Sequence, residues 1–213
     1  MKKFFIAIVA LAAAVACSND DIISIDRQAI GFGNPFVENA VRADYSGNLI
    51  NSFKVYGTVT GNGNTVTLSN GATVTRGTAT YGSPFTCTQT EYWIPSSDYN
   101  FLAIANATSV TTATGFPETI SYTANGETDL IYTKVGKTVT TDDKAVPSQN
   151  PVAFNFNHLL AKLQFNMVNR LSEGYSIKVT SLTVENVMED GLYTIAQSKW
   201  ETTTTYNVGV DFG

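Results

Sequence analysis

The sequence predicts an all-β protein, an antiparallel β-sandwich with few or no helices beyond its first 16 residues. Short runs of alternating apolar and polar residues recur along the chain, and Gly, Asn, Asp and Pro separate them. No long stretch shows the 3.6-residue apolar period of a helix, and the best candidate, residues 157–163, is short and strand-like. Hydrophobic residues make up 43% of the 213, which is enough to build a buried core.

The composition argues against several classes of function. The chain has 13 Lys and Arg against 18 Asp and Glu, so its net charge of −5 gives no basic surplus for binding nucleic acid. A single histidine, His158, excludes a multi-histidine metal site. It lies among apolar residues, which favours a structural role. The sequence therefore predicts a protein that is not an enzyme, with no catalytic residue, metal or cofactor.

The N-terminus has the pattern of a lipoprotein signal peptide, residues 1–16. Two lysines precede about 13 apolar residues, too few for the roughly 20 that span a bilayer. Small residues lead directly to Cys17, which resembles a bacterial lipobox, so we expect cleavage before Cys17 and acylation of that cysteine. The alternative is an ordinary secretory signal. Residues 17–24 form a predicted acidic tether, and residues 18–21 (SNDD) within it resemble the export tag of Bacteroides-type surface lipoproteins.

Removal of the signal peptide has two consequences. It takes away two lysines and no acidic residue, which lowers the net charge from −5 to −7. Lipidation of Cys17 also leaves Cys87 without a disulfide partner, because the chain has only two cysteines. The fold then depends on its hydrophobic core.

The first predicted strands form a hairpin. Residues 52–59 alternate between apolar and polar, and residues 61–64 (GNGN) predict the turn that leads into a strand over 65–69. A second turn is predicted at residues 70–71 (NG), before another short strand at 72–75. The glycines of this region could suggest a phosphate loop, but β-branched residues follow them instead of a helix, so the hairpin is favoured.

The middle of the chain contains further short strands and one loop. The predicted strands are residues 90–94, 101–105, 119–122 and 129–133. The polar residues 138–151 predict a mobile loop.

The strongest single strand pattern is residues 162–168. Leu163, Phe165 and Met167 share one face and polar residues the other, as in a sheet with one buried side. In the residues that follow, the alternation of apolar and polar side chains shifts by one position, which predicts a β-bulge near residues 180–181.

The last pattern of the chain is at its C-terminal end. Residues 206–212 alternate again and predict a final strand. The four threonines at 202–205 predict an exposed strand or connector.

Aromatic and acidic residues leave two alternative functions open. Exposed Trp93 and Trp200 could form a platform for stacking sugars, although in a sandwich such residues more often fill the core. The acid pairs at 142–143 and 189–190 could serve glycoside hydrolysis only if two carboxylates faced each other across a cleft, and nothing in the sequence fixes their separation.

The order of several segments points to a known family. The segments are residues 30–32 (IGF), 42–43 (RA), 53–57 (FKVYG), 92–95 (YWIP), 99–103 (YNFLA), 129–132 (DLIY) and 154–163 (FNFNHLLAKL). In this order they resemble Bacteroides-type fimbrillins, the subunits of type V pili and their anchor and tip relatives. The resemblance extends over nearly all of the chain after the signal peptide.

The resemblance implies a mode of assembly. It implies a Greek-key, transthyretin-like N-terminal β-sandwich and export as a lipoprotein and, in polymerising members, cleavage by a trypsin-like protease after an arginine in the first-strand region. Arg42, before Ala43, best matches the processing site, with Arg27 as the second choice and a plain loop arginine as the alternative. Ile30 and Phe32 would be the core plugs of the released strand, which a neighbour's strand replaces.

The same resemblance gives the predicted domains and location. Residues 25–200 are expected to form the N-terminal sandwich, and residues 201–213 the start of a truncated or missing C-terminal domain. The predicted function is a structural pilus subunit or anchor on the outer membrane that supports cell adhesion. Its partners would be other pilin subunits, the membrane and surface glycans or proteins. The alternative is a surface glycan-binding lipoprotein of a polysaccharide-uptake system.

Overall fold

A computed structural model describes residues 28–37, 50–78, 84–124, 128–139, 151–161 and 163–211. Within these ranges the chain forms strands and no helix, which confirms the predicted all-β class, and it therefore contains no helix that could cross a membrane. The strands are β1 (Phe32–Val37), β2 (Ser52–Gly61), β3 (Asn64–Arg76), β4 (Phe85–Cys87), β5 (Ser97–Ala105), β6 (Ser109–Ala113), β7 (Phe116–Thr123), β8 (Ile131–Val139), β9 (Val152–His158), β10 (Ser181–Thr194) and β11 (Lys199–Asp211).

The strands form two sheets. The seven-stranded sheet has the order β1-β9-β8-β5-β2-β3-β4, and the four-stranded sheet has the order β11-β10-β7-β6. Neighbouring strands are antiparallel, as predicted, except that β1 runs parallel to β9. The two edge strands β1 and β4 come into contact, so the larger sheet curls into a nearly closed barrel.

The core is divided between the interior of the curled sheet and the space between the sheets. Neighbouring residues Phe101 and Leu102 of β5 illustrate this division, because both are fully buried although they point to opposite faces. Phe101 belongs to the aromatic interior with Phe53, Phe154 and others. Leu102 belongs to the second cluster, which Tyr193 of the four-stranded sheet joins.

The predicted first hairpin is confirmed. β2 and β3 pair antiparallel and are joined at Asn62 and Gly63, which have φ angles of 50° and 75°. Two consecutive left-handed residues match the twist of the strands, which explains the choice of Asn-Gly.

The second turn, predicted at residues 70–71, is wrong. β3 continues through it, and the ladder to β2 shifts so that Val55 faces Ala72 while Tyr56 faces Asn70. Gly71 is the extra residue of this β-bulge and has a φ of +79°. The Asn-Gly pair therefore supplies the left-handed residue of a bulge and not of a turn.

Three other strand predictions differ from the structure. Residues 90–94 form only an isolated bridge, between Tyr92 and Ala29. The described part of 162–168 forms no strand, and its side chains are exposed, because no other strand pairs with it in the described structure. The predicted bulge at residues 180–181 is also wrong, since β10 begins at Ser181 and its first irregularity lies between Val184 and Val187.

The C-terminal strand is confirmed as part of the four-stranded sheet. β11 pairs with β10, and its residues 202–205 form an exposed strand, one of the two forms predicted for them. β11 runs continuously past the predicted domain boundary after residue 200. The division into domains stays a prediction, and the signal peptide and tether lie outside the described residues.

Candidate strand-exchange groove

The first described segment, residues 28–37, lies along the edge of the curled sheet. The Ile30 amide donates a hydrogen bond to the Glu91 carbonyl (2.8 Å), and the Trp93 amide donates one to the Gln28 carbonyl (3.1 Å). Beyond them, β1 pairs with β9 in the register Phe32 to Val152. The segment is therefore held by backbone hydrogen bonds at both of its ends.

Two side chains of this segment reach into the aromatic interior. Ile30 is 6% exposed and Phe32 is 8% exposed. The Phe32 ring stacks on Phe154 with centroids 5.8 Å apart, and it meets the edge of Phe101 at 5.5 Å. Both residues predicted as core plugs are thus brought together in the core, although their exchange between subunits is a separate question.

β1 is held less firmly than the central strands. It has a strand partner on one side only, and that pairing is parallel, which is slightly weaker per residue than antiparallel pairing. Its register shifts between Gly33 and Phe36, where Pro35 offers no amide hydrogen. An edge strand with an interrupted ladder is the easiest kind of strand to remove.

Two buried polar atoms add to this weakness. The Gln28 side-chain oxygen and the Trp93 indole nitrogen are buried with no hydrogen-bond partner in the described structure. An unsatisfied buried polar group costs about 1–3 kcal/mol. Release of the segment would let water reach both atoms, so this end of the segment resists removal less than its burial suggests.

Without this segment, the sheet would expose an apolar groove. Its walls would be Phe101, Phe154 and Trp93, whose rings pack edge-to-face or stacked with their neighbours. Tyr99 supports Trp93 at a centroid distance of 4.7 Å and accepts a hydrogen bond from the Ile94 amide, while burial raises the pKa of its phenol. Such a groove offers apolar pockets and the free edge of β9, the two requirements for adding an extended peptide.

The resemblance pointed to Ile30 and Phe32, which are buried, but not to the contacts that hold their segment in place. Gln28 and the parallel partner β9 were not predicted, because parallel pairing between segments more than 100 residues apart leaves no local signal. The other predicted site residues, Cys17, Arg42 and Ala43, lie outside the described residues, as does Arg27.

The remaining candidate residues have structural roles. His158 at the end of β9 contacts the Asp129 carboxylate just before β8, which supports the structural interpretation of this histidine. Trp93 is 7% exposed and belongs to the core, so it forms no open sugar platform. Trp200 packs on Tyr193 and donates a hydrogen bond to the Leu159 carbonyl (3.1 Å). The described residues contain no group of three or more His, Cys, Asp or Glu side chains placed to hold a metal ion.

Comparisons with known proteins agree with this fold. The chain is similar to a solved structure of a candidate cell adhesion protein from Bacteroides ovatus, with a TM-score of 0.51 and 12% identity over 87% of this chain and 72% of that one. This likeness concerns the fold. A search of curated proteins gave no match. The model of the fimbrillin-like family matches residues 42–212, which is most of the chain, so the protein belongs to the fimbrillin-like family.

Proposed function

We propose that this protein is a surface lipoprotein that forms or anchors a fimbria by strand exchange and thereby supports cell adhesion. Membership of the fimbrillin-like family supports the pilus and adhesion role. The observation that carries the exchange step is the placement of Ile30 and Phe32: both are buried in the core on a weakly paired edge segment.

The exchange begins with proteolysis after Arg42. Cleavage there separates residues 17–42, including β1, from the rest of the sandwich. The departing Phe32 leaves an apolar space beside Phe101 and Phe154, and β9 loses its parallel partner. An extended segment of another subunit then fills the space with alternate apolar side chains and restores the backbone hydrogen bonds.

The lipid determines where the subunit is held. Acyl chains on Cys17 would bind the protein to the outer membrane, and more than one chain is needed for stable attachment. A subunit cleaved after Arg42 loses this attachment and can join the shaft. An uncleaved subunit keeps both its lipid and its own β1, and so would serve as the anchor.

The test is expression of the full-length protein in a Bacteroides-type host, with mass spectrometry of the mature N-terminus and electrophoresis of unboiled cell extracts. We expect high-mass ladders and a new N-terminus at Ala43. Arg42→Ala should abolish both and leave an acylated Cys17, whereas the matched variant Arg27→Ala should leave both unchanged. Lipidated monomer without a ladder in the wild type would overturn the polymerising role.

A second variant separates strand exchange from cleavage. Phe32→Ala weakens the packing of β1 but leaves Arg42 intact, so cleavage should proceed and the ladder should persist or form faster. Loss of the ladder in a Phe32→Ala protein that is cleaved normally would contradict the proposal that β1 merely occupies the groove until a neighbour replaces it.

A further inference from the structure

Residues 163–180, here called the arm, present a row of large apolar side chains to solvent. In the described structure the arm contains no strand or helix. Seven large apolar side chains in it are 47–70% exposed: Leu163, Phe165, Met167, Val168, Leu171, Tyr175 and Ile177. An exposed apolar row of this size is typical of an interaction site.

The adjacent strand β10 has an open edge. It pairs with β11 along its whole length, but with β7 only from Asp190 to Thr194. One more hydrogen bond, from the Ala124 amide to the Glu189 carbonyl (2.7 Å), extends that side. From Ser181 to Met188 the β7 side of β10 has no strand partner in the described part of the chain, so a row of backbone groups is available for pairing.

We propose that residues 163–168 of the arm add to this open edge of their own chain as an antiparallel strand. The two ends of the connection support this. Leu159 is fixed beside Trp200, which lies opposite Tyr193 near the far end of β10, while the arm ends directly before Ser181, where β10 begins. The chain must therefore travel back along β10, antiparallel to it. Eight edge residues span about 26 Å at roughly 3.3 Å each, and residues 163–168 span about 20 Å, which fits within this edge.

The side-chain pattern of the two segments matches. Leu163, Phe165 and Met167 alternate with polar residues, and in β10 Leu182 and Val184 alternate in the same way. Val184 lies opposite Val208 of β11, and both are half-buried. Pairing would place the apolar side chains of the arm beside this half-covered apolar face, which is the cross-strand contact that stabilises sheets.

The docking segment adds no unfavourable charge to this edge. Residues 163–168 contain no charged side chain, and residues 181–188 of β10 contain one, Glu185. Pairing therefore places no like charges opposite each other.

The chain reversal that this pairing needs is already present. The Asn169 side-chain amide donates a hydrogen bond to the Tyr175 carbonyl (3.0 Å), and the Leu171 amide donates one to the Asn169 side-chain oxygen (2.9 Å). Gly174 has a φ of +94°, which suits a turn. Since the turn is preformed, docking of residues 163–168 orders fewer additional residues and costs less conformational entropy.

Arm docking would cover the open part of β10 on its β7 side. A covered edge cannot pair with the edges of other chains. The inference concerns a different sheet from the strand-exchange groove and does not depend on the proposed function.

Hydrogen exchange on the full-length protein tests the proposal. We expect the amides of residues 163–168 to exchange at least about tenfold more slowly than an unstructured peptide of the same sequence, because hydrogen-bonded strand amides are protected. The protection should be the same at two protein concentrations that differ tenfold. Random-coil exchange of residues 163–168 would overturn the proposal, and protection that grows with concentration would overturn it in favour of pairing with a second copy.

Matched variants of neighbouring arm residues identify the face that docks. Phe165→Ser should remove most of the protection, while Asn166→Ser, on the opposite face of the same strand, should keep it within about threefold. If residues 163–168 were protected only because the neighbouring turn is rigid, Phe165→Ser would lose no protection. Equal exchange rates in the two variants would therefore also contradict strand addition. The exchange of β9, which pairs with β1 and β8 in the other sheet, reports in the same experiment whether either variant has unfolded.

Discussion

Two phenylalanines in similar sequence patterns differ in the burial of their side chains. Phe154 in β9 and Phe165 in the arm each lie in a run in which every second residue is large and apolar, yet Phe154 is fully buried and Phe165 is 52% exposed. β9 lies between β1 and β8 in a sheet that curls around its own aromatic interior. The arm has no facing surface in the described structure. Alternation therefore shows that a segment can form a strand, but burial requires a second surface opposite it.

The largest expected effect tests this contrast directly. Phe154→Ala removes a ring that packs on Phe32, Phe53 and Phe156, and should lower the free energy of unfolding by about 3–5 kcal/mol. Phe165→Ala removes an exposed ring and should cost less than about 1 kcal/mol. Urea denaturation of the two variants measures both. Equal losses would show that the arm belongs to the cooperative core.

A smaller effect is expected for the same substitution in the edge strand. Phe32→Ala should lower the free energy of unfolding by about 2–4 kcal/mol, because Phe32 is buried but lies on a strand with one partner that can shift to reduce the cavity. Phe32→Leu, which keeps most of the apolar volume, is the matched control and should lose about 1 kcal/mol. If Phe32→Ala cost more than Phe154→Ala, β1 would be a central and not a replaceable part of the fold.

The stability contributed by the contact between the two sheets should decrease at alkaline pH. Burial, together with the contact to the Tyr193 hydroxyl (3.4 Å), raises the pKa of Tyr132 from 10.0 to about 12. Because the folded-state pKa is the higher one, the stability from this group is fully present below pH 10 and is lost as the pH rises toward 12. Denaturation across this range should show a flatter pH profile for Tyr132→Phe. Identical profiles for variant and wild type would contradict the buried phenol.

The smallest effect on stability is expected for substitution of Asp190 in β10, which lies beside the end of β7. The hydroxyls of Thr123 and Thr204 donate hydrogen bonds to its carboxylate (2.7 and 2.9 Å) and lower its pKa. The stability from this carboxylate is present above its ordinary pKa and is lost as the pH falls through the lowered one. Asp190→Asn should therefore weaken the dependence of stability on acid pH slightly, since the group is exposed. Identical acid profiles for Asp190→Asn and wild type would contradict this role of the carboxylate.

Much of the fold could be predicted because its signals are local. The turn at Asn62 and Gly63 requires left-handed residues, and the sequence supplies them. The same Asn-Gly pair at residues 70–71 gave a wrong prediction, because a bulge uses left-handed glycine as readily as a turn does, and only the pairing of β2 with β3 distinguishes them.

The candidate site was predicted only in part. The family resemblance alone pointed to Ile30 and Phe32 as core residues of the first strand, and both are buried; their exchange stays a prediction. The partner of their strand could not be predicted, because β1 and β9 are far apart in sequence and their pairing is parallel in a mainly antiparallel protein. The contribution of Gln28 and Trp93 was also missed, since a buried polar atom without a partner is a property of packing and not of residue type.

The sequence by itself determined the β class, the positions of most strands and the turn of the first hairpin, because backbone propensity and alternation act between near neighbours. The tertiary structure decided which strands pair, in which direction, and which apolar faces are covered. These outcomes depend on surfaces that meet only after the chain has folded. For that reason Phe32 and Phe154 lie against each other, while Phe165, with an equally apolar ring, faces solvent.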